Sequence, residues 1–506
     1  MAVDLNIGFK AEITTADPHA PNANNRNIWA HVYEPLVAQD ENLRTKPALA
    51  LSWRTVNPTT WEFKLRPNVK FHNGASFNAE DVKYSIERAM GMTGPRTMRA
   101  YLRDVASVAV IDAMTVQIKT KTPTPILPDN ISVVSMIPKS LGANLTEENF
   151  ASGKSAIGTG PYKFVEWAHA QRVVLIRNDA YWGDKEPWAK VIFQFIPKEP
   201  ARAAALLSGV VDVIDAAPIQ MADAFKASGK IDSISTTSYM LNYLMLDRLR
   251  QDSPYIKSID GKPLPKNPFN DLKVRQALMI AVNRDDIVKH VMKGDGEAAG
   301  QLVPPAFFGY NPALKVPAND LEKAKALLAE AGYPNGFSLT LHCPQGHYVN
   351  DSKVCEALTQ SFTQIGVKTE MRAMPFAVLR PRSINGGPNG TPEFSMVYLG
   401  IGAVTGDSMV PMVGVAHSQD NTTGFGANNF SGYSNKEIDA LIEKASGTMD
   451  EAARSEILKS AAQKLMNDVG LIPIIFPKAS WAFKKSLTIK PRSDGFTMAM
   501  NIRPAK

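Results

Sequence analysis

Only two cysteines, Cys343 and Cys355, occur in 506 residues, so no disulfide framework is available. One bridge or two thiols remain open, and Cys355 lies where a buried free thiol is the usual finding. No apolar run approaches the ~18 residues that a membrane-spanning helix needs, which excludes an integral helical membrane protein for the chain as given. Nor is there a run of about five or six Lys/Arg: 56 basic and 49 acidic residues are interspersed around a net charge of +7, so nucleic acid is not an expected partner. His-Glu-x-x-His, Gly-x-Ser-x-Gly and tandem Cys-x-x-Cys are all missing, which leaves hydrolase and zinc chemistry without a local anchor and points away from an enzyme. Internal repeats and low-complexity tracts are missing too. At the start, Met1-Ala2-Val3-Asp4 has neither a basic n-region nor an apolar h-region, so a secretory signal is absent or has been removed.

What is present is ordinary soluble composition, 44% hydrophobic and 21% charged, over a length that suggests roughly three domains. The stretch Pro47–Met90 is the most legible. Trp61 to Arg66 alternates as a half-buried strand, Val69 and Phe71 resume the alternation, and Asn73-Gly74 makes a tight turn. Asn78 then caps a helix with Glu80 and Asp81 in its first turn and Val82, Ser85, Ile86, Ala89 and Met90 facing inward. Further along, Asp271 caps a helix with Val274, Ala277, Leu278 and Ala281 inside. Asp320 caps another with Leu321, Ala324, Leu327, Leu328 and Ala331 inside, ended by Gly332 and Pro334. Strand Ser338 to Cys343 precedes helix Ser352 to Ile365, and Glu393 to Leu399 is a further strand. Strands alternating with helices imply an α/β layered fold.

Three apparent motifs fail on context. Gly153-Lys154-Ser155 resembles a phosphate-loop tail, but Glu148 stands where the leading glycine is required. Gly294, Gly296 and Gly300 follow a helix rather than a strand, and the last spacing is one residue too long for a dinucleotide fingerprint. His342, Cys343, His347 and Cys355 are metal-capable, but neighbours on a strand point to opposite faces, so they read as core plus loop.

The wording of several runs carries more than their patterning. Leu49 to Trp53 (LALSW), Trp61 to Gly74 (WEFKLRPNVKFHNG), Phe77 to Ala89 (FNAEDVKYSIERA), Gly158 to Tyr162 (GTGPY), Tyr181-Trp182-Gly183, Asn267 to Arg284 (NPFNDLKVRQALMIAVNR) and Leu471 to Phe476 (LIPIIF) together resemble the family 5, or cluster C, extracellular solute-binding proteins of ABC importers for dipeptides, oligopeptides and nickel. The resemblance implies a two-lobed periplasmic-binding-protein fold (type II, Venus flytrap) with an extra subdomain in the N-terminal lobe. The expected division is a lobe I core over 1–45, 161–262 and 478–506, the subdomain over 46–160, and lobe II over 263–477. It implies a monomeric, cofactor-free, periplasmic receptor whose signal peptide has been removed. Such a receptor closes on a peptide or small peptide-like solute and delivers it to membrane permease subunits. A nickel, metal-chelate or haem binder on the same fold, or a hydrolytic enzyme, is the alternative.

Site residues follow from the same resemblance. Asn24 and Asn25 lie in the loop that faces ligand in relatives. Tyr239, Met240 and Asn242 fall where relatives bring backbone and aromatic groups to it. Gly400 and Gly402 open a glycine-rich loop, and Asp407 matches an Asp that pairs with the ligand ammonium. Gln345 stands where dipeptide-binding relatives carry an Arg for the ligand carboxylate. His347, Arg380 and Arg382 are the groups available to replace that charge, with Arg382 read as a surface residue. Ile401 replaces a Trp of other relatives.

Overall fold

The computed structural model describes residues 4–20, 23–93 and 98–505. Two compact units emerge: Met1–Thr236 with Gly447–Met449 and Ala479–Lys506, and Thr237–Ser446 with Asp450–Lys478. The chain passes between them within one long strand, Ile472–Lys484.

In the first unit, strand Leu5–Phe9 runs parallel to Lys190–Phe195 on one side and to Val213–Asp215 on the other. Arg172–Arg177 and Tyr162–Ala168 extend that sheet antiparallel. Phe9, Trp29, Tyr33, Tyr162, Phe193 and Trp481 fill the core beneath it. The 46–160 stretch holds a separate antiparallel sheet in the order Ala50–Asn57, Thr60–Leu65, Thr115–Thr120, Val105–Asp112. Its own core includes Phe63, Leu65, Val82, Ile86, Val116 and Ile118. Helix Ala79–Gly91 is closed by a capping box: Asn78 accepts from Glu80 N at 2.8 Å, and Asn78 N donates to Asp81 Oδ2 at 3.0 Å. Val69 and Phe71 are buried as expected, but only a single bridge, Lys70 to Ser76, forms beside the Asn73-Gly74 turn.

The glycines of Gly158–Tyr162 answer to close approach. A Cβ on Gly158 would stand 1.9 Å from the Val32 carbonyl oxygen, and one on Gly160 2.5 Å from that of His31. Both lie below any real contact, so only glycine lets this strand of chain lie against the 31–33 backbone. Gly160 N and Tyr162 N bond to the Val32 and His31 carbonyls at 3.0 Å each.

In the second unit, Met240–Leu246 pairs antiparallel with Met396–Gly402 through seven residues. Ser338–Gln345 pairs parallel with Lys368–Pro375 and with Met396–Gly402. The second unit includes 237–262, which the sequence division gave to the first lobe. The helix caps at Asp271 and Asp320 form as expected, accepting from Lys273 N and Lys323 N at 2.9 Å each. Cys343 and Cys355, both fully buried, form a disulfide that ties the Ser338–Gln345 strand to helix Asp351–Gln364. The expectation of a buried free thiol at Cys355 is therefore corrected: burial is right, the thiol is not. All seven tryptophans lie in the first unit and none in the second.

Candidate ligand-binding site

Nine of the eleven residues singled out by sequence belong to the second unit, and the Met240–Leu246/Met396–Gly402 ladder carries four of them. Met240 faces Gly402 and Asn242 faces Gly400 across it. A Cβ on Gly400 would lie 2.8 Å from Tyr348 Cε1 and 3.0 Å from Met240 Sδ; one on Gly402 would lie 2.2 Å from Tyr239 Cε2. The two glycines are thus the floor on which Tyr239, Met240 and Tyr348 rest. Asn242 is wholly buried, and neither atom of its amide finds a hydrogen-bond partner among the described residues.

The segment after the Ser338–Gln345 strand is shaped by one carboxylate. Asp351 accepts from the backbone N–H groups of Gly346 (3.1 Å), His347 (2.8 Å) and Tyr348 (3.0 Å). Gln345 is exposed at the strand end. His347 stacks on Phe376 with ring centroids 3.6 Å apart and planes 1° from parallel. Burial pulls its imidazole below the ordinary value, so it is not a source of positive charge at neutral pH. Tyr348 packs edge-on against Phe376 and Tyr398, and its hydroxyl accepts from Gly400 N at 2.9 Å, joining the two segments.

The charges sort unambiguously. Asp407 and Arg454 form a buried ion pair, their side chains 5% and 6% exposed, and Asp407 Oδ1 also accepts from Met409 N at 2.7 Å. Arg454 covers the Phe308 ring at 4.5 Å. The carboxylate of Asp407 is therefore already neutralised. Arg382 forks onto Glu393, which takes the Tyr255 hydroxyl as well. Arg380, two residues earlier on the same helix, has no carboxylate within 4.0 Å among the described residues. It donates to Asn428 Oδ1 at 2.7 Å and lies over the Phe430 ring at 4.5 Å. Burial lowers its pKa, and the opposing influences come only from the phenols of Tyr243 and Tyr348.

The remaining two residues lie in the first unit. Asn24 is half-buried in helix Ala23–Trp29. Asn25 is buried and holds its own loop, accepting from Thr14 N at 2.7 Å. Asn25 also borders a cavity of about 590 Å³ made wholly of first-unit residues, among them Trp29, Tyr33, Glu34, Tyr181, Trp182 and Phe496. Glu34 there accepts from the Tyr181 hydroxyl at 2.8 Å and from Trp182 Nε1 at 2.9 Å. The metal-capable set of the second unit does not converge: both sulfurs are in the disulfide, His342 stacks on Phe394 at 4.0 Å, and His347 is on Phe376.

Sequence reading placed Tyr348 and Asp351 in a strand-end segment, 344–351, where α/β folds tend to hold ligands, but gave neither a role, and it missed Asn428 and Phe430, which depend on which segments meet.

Residues 44–423 match the family described as bacterial extracellular solute-binding proteins, family 5 Middle. The glutathione-binding protein GsiB of Escherichia coli (strain K12) is 28% identical over 493 residues, covering 96% of this chain and 91% of that protein. The structure of HbpA2 from Haemophilus parasuis superposes with a TM-score of 0.82 at 25% identity, covering 99% of this chain and 100% of that one. The periplasmic binding protein DppA from Helicobacter pylori, in complex with peptide STSA, gives a TM-score of 0.76 at 23% identity over 99% and 98% of the two chains. The chain therefore has the periplasmic-binding-protein fold that its motifs led us to expect.

Proposed function

This chain belongs to the bacterial extracellular solute-binding proteins of family 5, and from that premise we propose that it is the substrate-binding component of an ABC importer. It captures a peptide or small peptide-like solute and passes it, chemically unchanged, to membrane permease subunits. The observation that carries this reading is likeness over almost the whole chain to proteins named for glutathione and for a bound peptide. The residues proposed for contact are, in the second unit, Tyr239, Met240, Asn242, Gln345, His347, Arg380, Gly400 and Gly402, and, in the first unit taken by itself, Asn24 and Asn25. A rigid glycine floor under aromatic side chains suits a peptide backbone, because aromatic faces and main-chain N–H groups recognise it with little dependence on sequence.

The protein acts in the periplasm as a monomer and performs no catalysis. Isothermal titration with glutathione and a set of di- to pentapeptides tests this, with nickel salts and haemin added separately. Saturable peptide binding, and recovery of the peptide at unchanged mass, is the expected result. Binding of metal or haem alone, or conversion of the peptide, refutes it.

A further inference from the structure

We infer that Arg380 anchors a carboxylate of the captured solute, so that the solute class is acidic; this rests on the proposal that the chain is a solute receptor. The argument is one of unpaired charge. A guanidinium offers five N–H donors in a planar fork suited to a carboxylate. Arg380 commits one nitrogen to Asn428 and one face to Phe430, and meets no acid within 4.0 Å among the described residues. Every other arginine named in this region is matched: Arg382 by Glu393, Arg454 by Asp407, and Arg250 by Asp247 at 2.8 Å. A partly buried cation without a counter-ion is costly, and the groups around Arg380 offer only the neutral phenols of Tyr243 and Tyr348.

Its position joins it to the glycine floor. Tyr348 accepts from Gly400 N, and Asn428, the partner of Arg380, converges with Ile401 on Gly414, 3.4 and 3.8 Å from where a Cβ would stand. The Gly400–Gly406 segment, Gly-Ile-Gly-Ala-Val-Thr-Gly, brings no ionisable side chain, and the acid that follows it is spent on Arg454. The candidate residues of the second unit therefore offer a cation, while the carboxylates beside them among the described residues, Asp351 and Asp407, are already bonded, which selects for acids and against amines.

Titrations of the full chain at low salt decide it, with Ala-Ala-Ala, its C-terminal amide, glutathione, glutarate and cadaverine as probes. The expected result is acid binding about 30-fold or more tighter than amide, and no cadaverine binding. Arg380→Met weakens the acids by about the same factor, and Arg380→Lys by less. Asn428→Asp keeps the arginine and its stacking but supplies the missing counter-ion in place, so it too loses about 30-fold even if Arg380→Met fails to fold. If acid and amide bind alike and Asn428→Asp changes nothing, the inference falls while the peptide-receptor reading stands. If glutarate binds through Arg380 and no peptide does, the inference stands and the peptide reading falls. If no acid binds, both fall.

Discussion

Replacing Asp407 by alanine is the most informative single perturbation, because sequence and structure give the residue different work. As an ammonium partner its loss would lower affinity and leave folding intact. As the counter-ion of Arg454 its loss strands a guanidinium whose side chain is only 6% exposed. The neighbour left to it is the Phe308 ring at 4.5 Å. Breaking a buried pair by removing one partner costs about 3–5 kcal/mol. Loss of the Met409 N–H acceptor adds about 1 kcal/mol. Removing both charges in Asp407→Ala/Arg454→Leu recovers most of this, for a coupling of about 2 kcal/mol or more. Urea unfolding reads it, and the placement of every tryptophan in the first unit supplies an internal control. The transition seen by tyrosine emission and circular dichroism moves to lower urea by about 1.3–2 M at a slope near 3 kcal/mol/M, more than the indole-detected one. A single variant that unfolds like the parent but loses affinity for an amine-bearing peptide would refute the reasoning and restore Asp407 to the ligand.

Four further outcomes are expected. Alkylation of the denatured, unreduced protein gives no cysteine adducts by mass spectrometry. Cys343→Ala/Cys355→Ala lowers the stability of the second unit by about 3 kcal/mol, the chain-entropy value for closing a loop across a separation of 12 residues; two adducts, or an unshifted transition, contradict the bridge. Acidification weakens the first unit. Burial pushes His31 down to about 4; its Nδ1–H donates to the Ile28 carbonyl at 2.9 Å and its Nε2 accepts from Ala499 N at 2.9 Å, so the folded ring refuses a second proton. The unfolded chain takes that proton below about 6.5, so stability is full above that pH and is lost as pH falls toward 4, by about 3 kcal/mol for this ring alone. His19 and His72, also pushed down to about 4 by burial, act in the same direction; an indole-detected midpoint flat from pH 7 to 4.5 would contradict this. Finally, Gly158→Ala destabilises the first unit by more than 2 kcal/mol or abolishes folding, since its methyl overlaps the Val32 carbonyl; a soluble variant with the parent's midpoint would contradict it.

What could be read from sequence divides by the range of the interaction. The helix starts at Asn78, Asp271 and Asp320 were legible because a capping side chain bonds within three residues of itself. The expected inward stripe of Ala79–Gly91 was legible from period alone, with Val82, Ser85, Ile86 and Ala89 all buried. Arg380 and Arg382 were not separable: they flank Pro381 on one helix, and only the positions of Glu393 and Asn428 decide which is paired. Asp407 meets Arg454 across 47 residues, and no local signal distinguishes that carboxylate from one left free for a guest. The cysteines show the intermediate case. Alternation placed His342 and Cys343 on opposite faces of a strand, but the bridge needed knowledge of which helix packs beneath.

The Asp351 carboxylate gathers three consecutive amides, so the turn carrying His347 and Tyr348 owes its shape to a residue outside itself. The His347 side chain is not needed to hold the turn, whereas the Tyr348 hydroxyl ties it to Gly400. Position 347 therefore behaves like a fingertip on a fixed knuckle, and a laboratory wishing to retarget the receptor toward another cargo has a natural place to randomise: vary 347, and leave 348 and 351 alone.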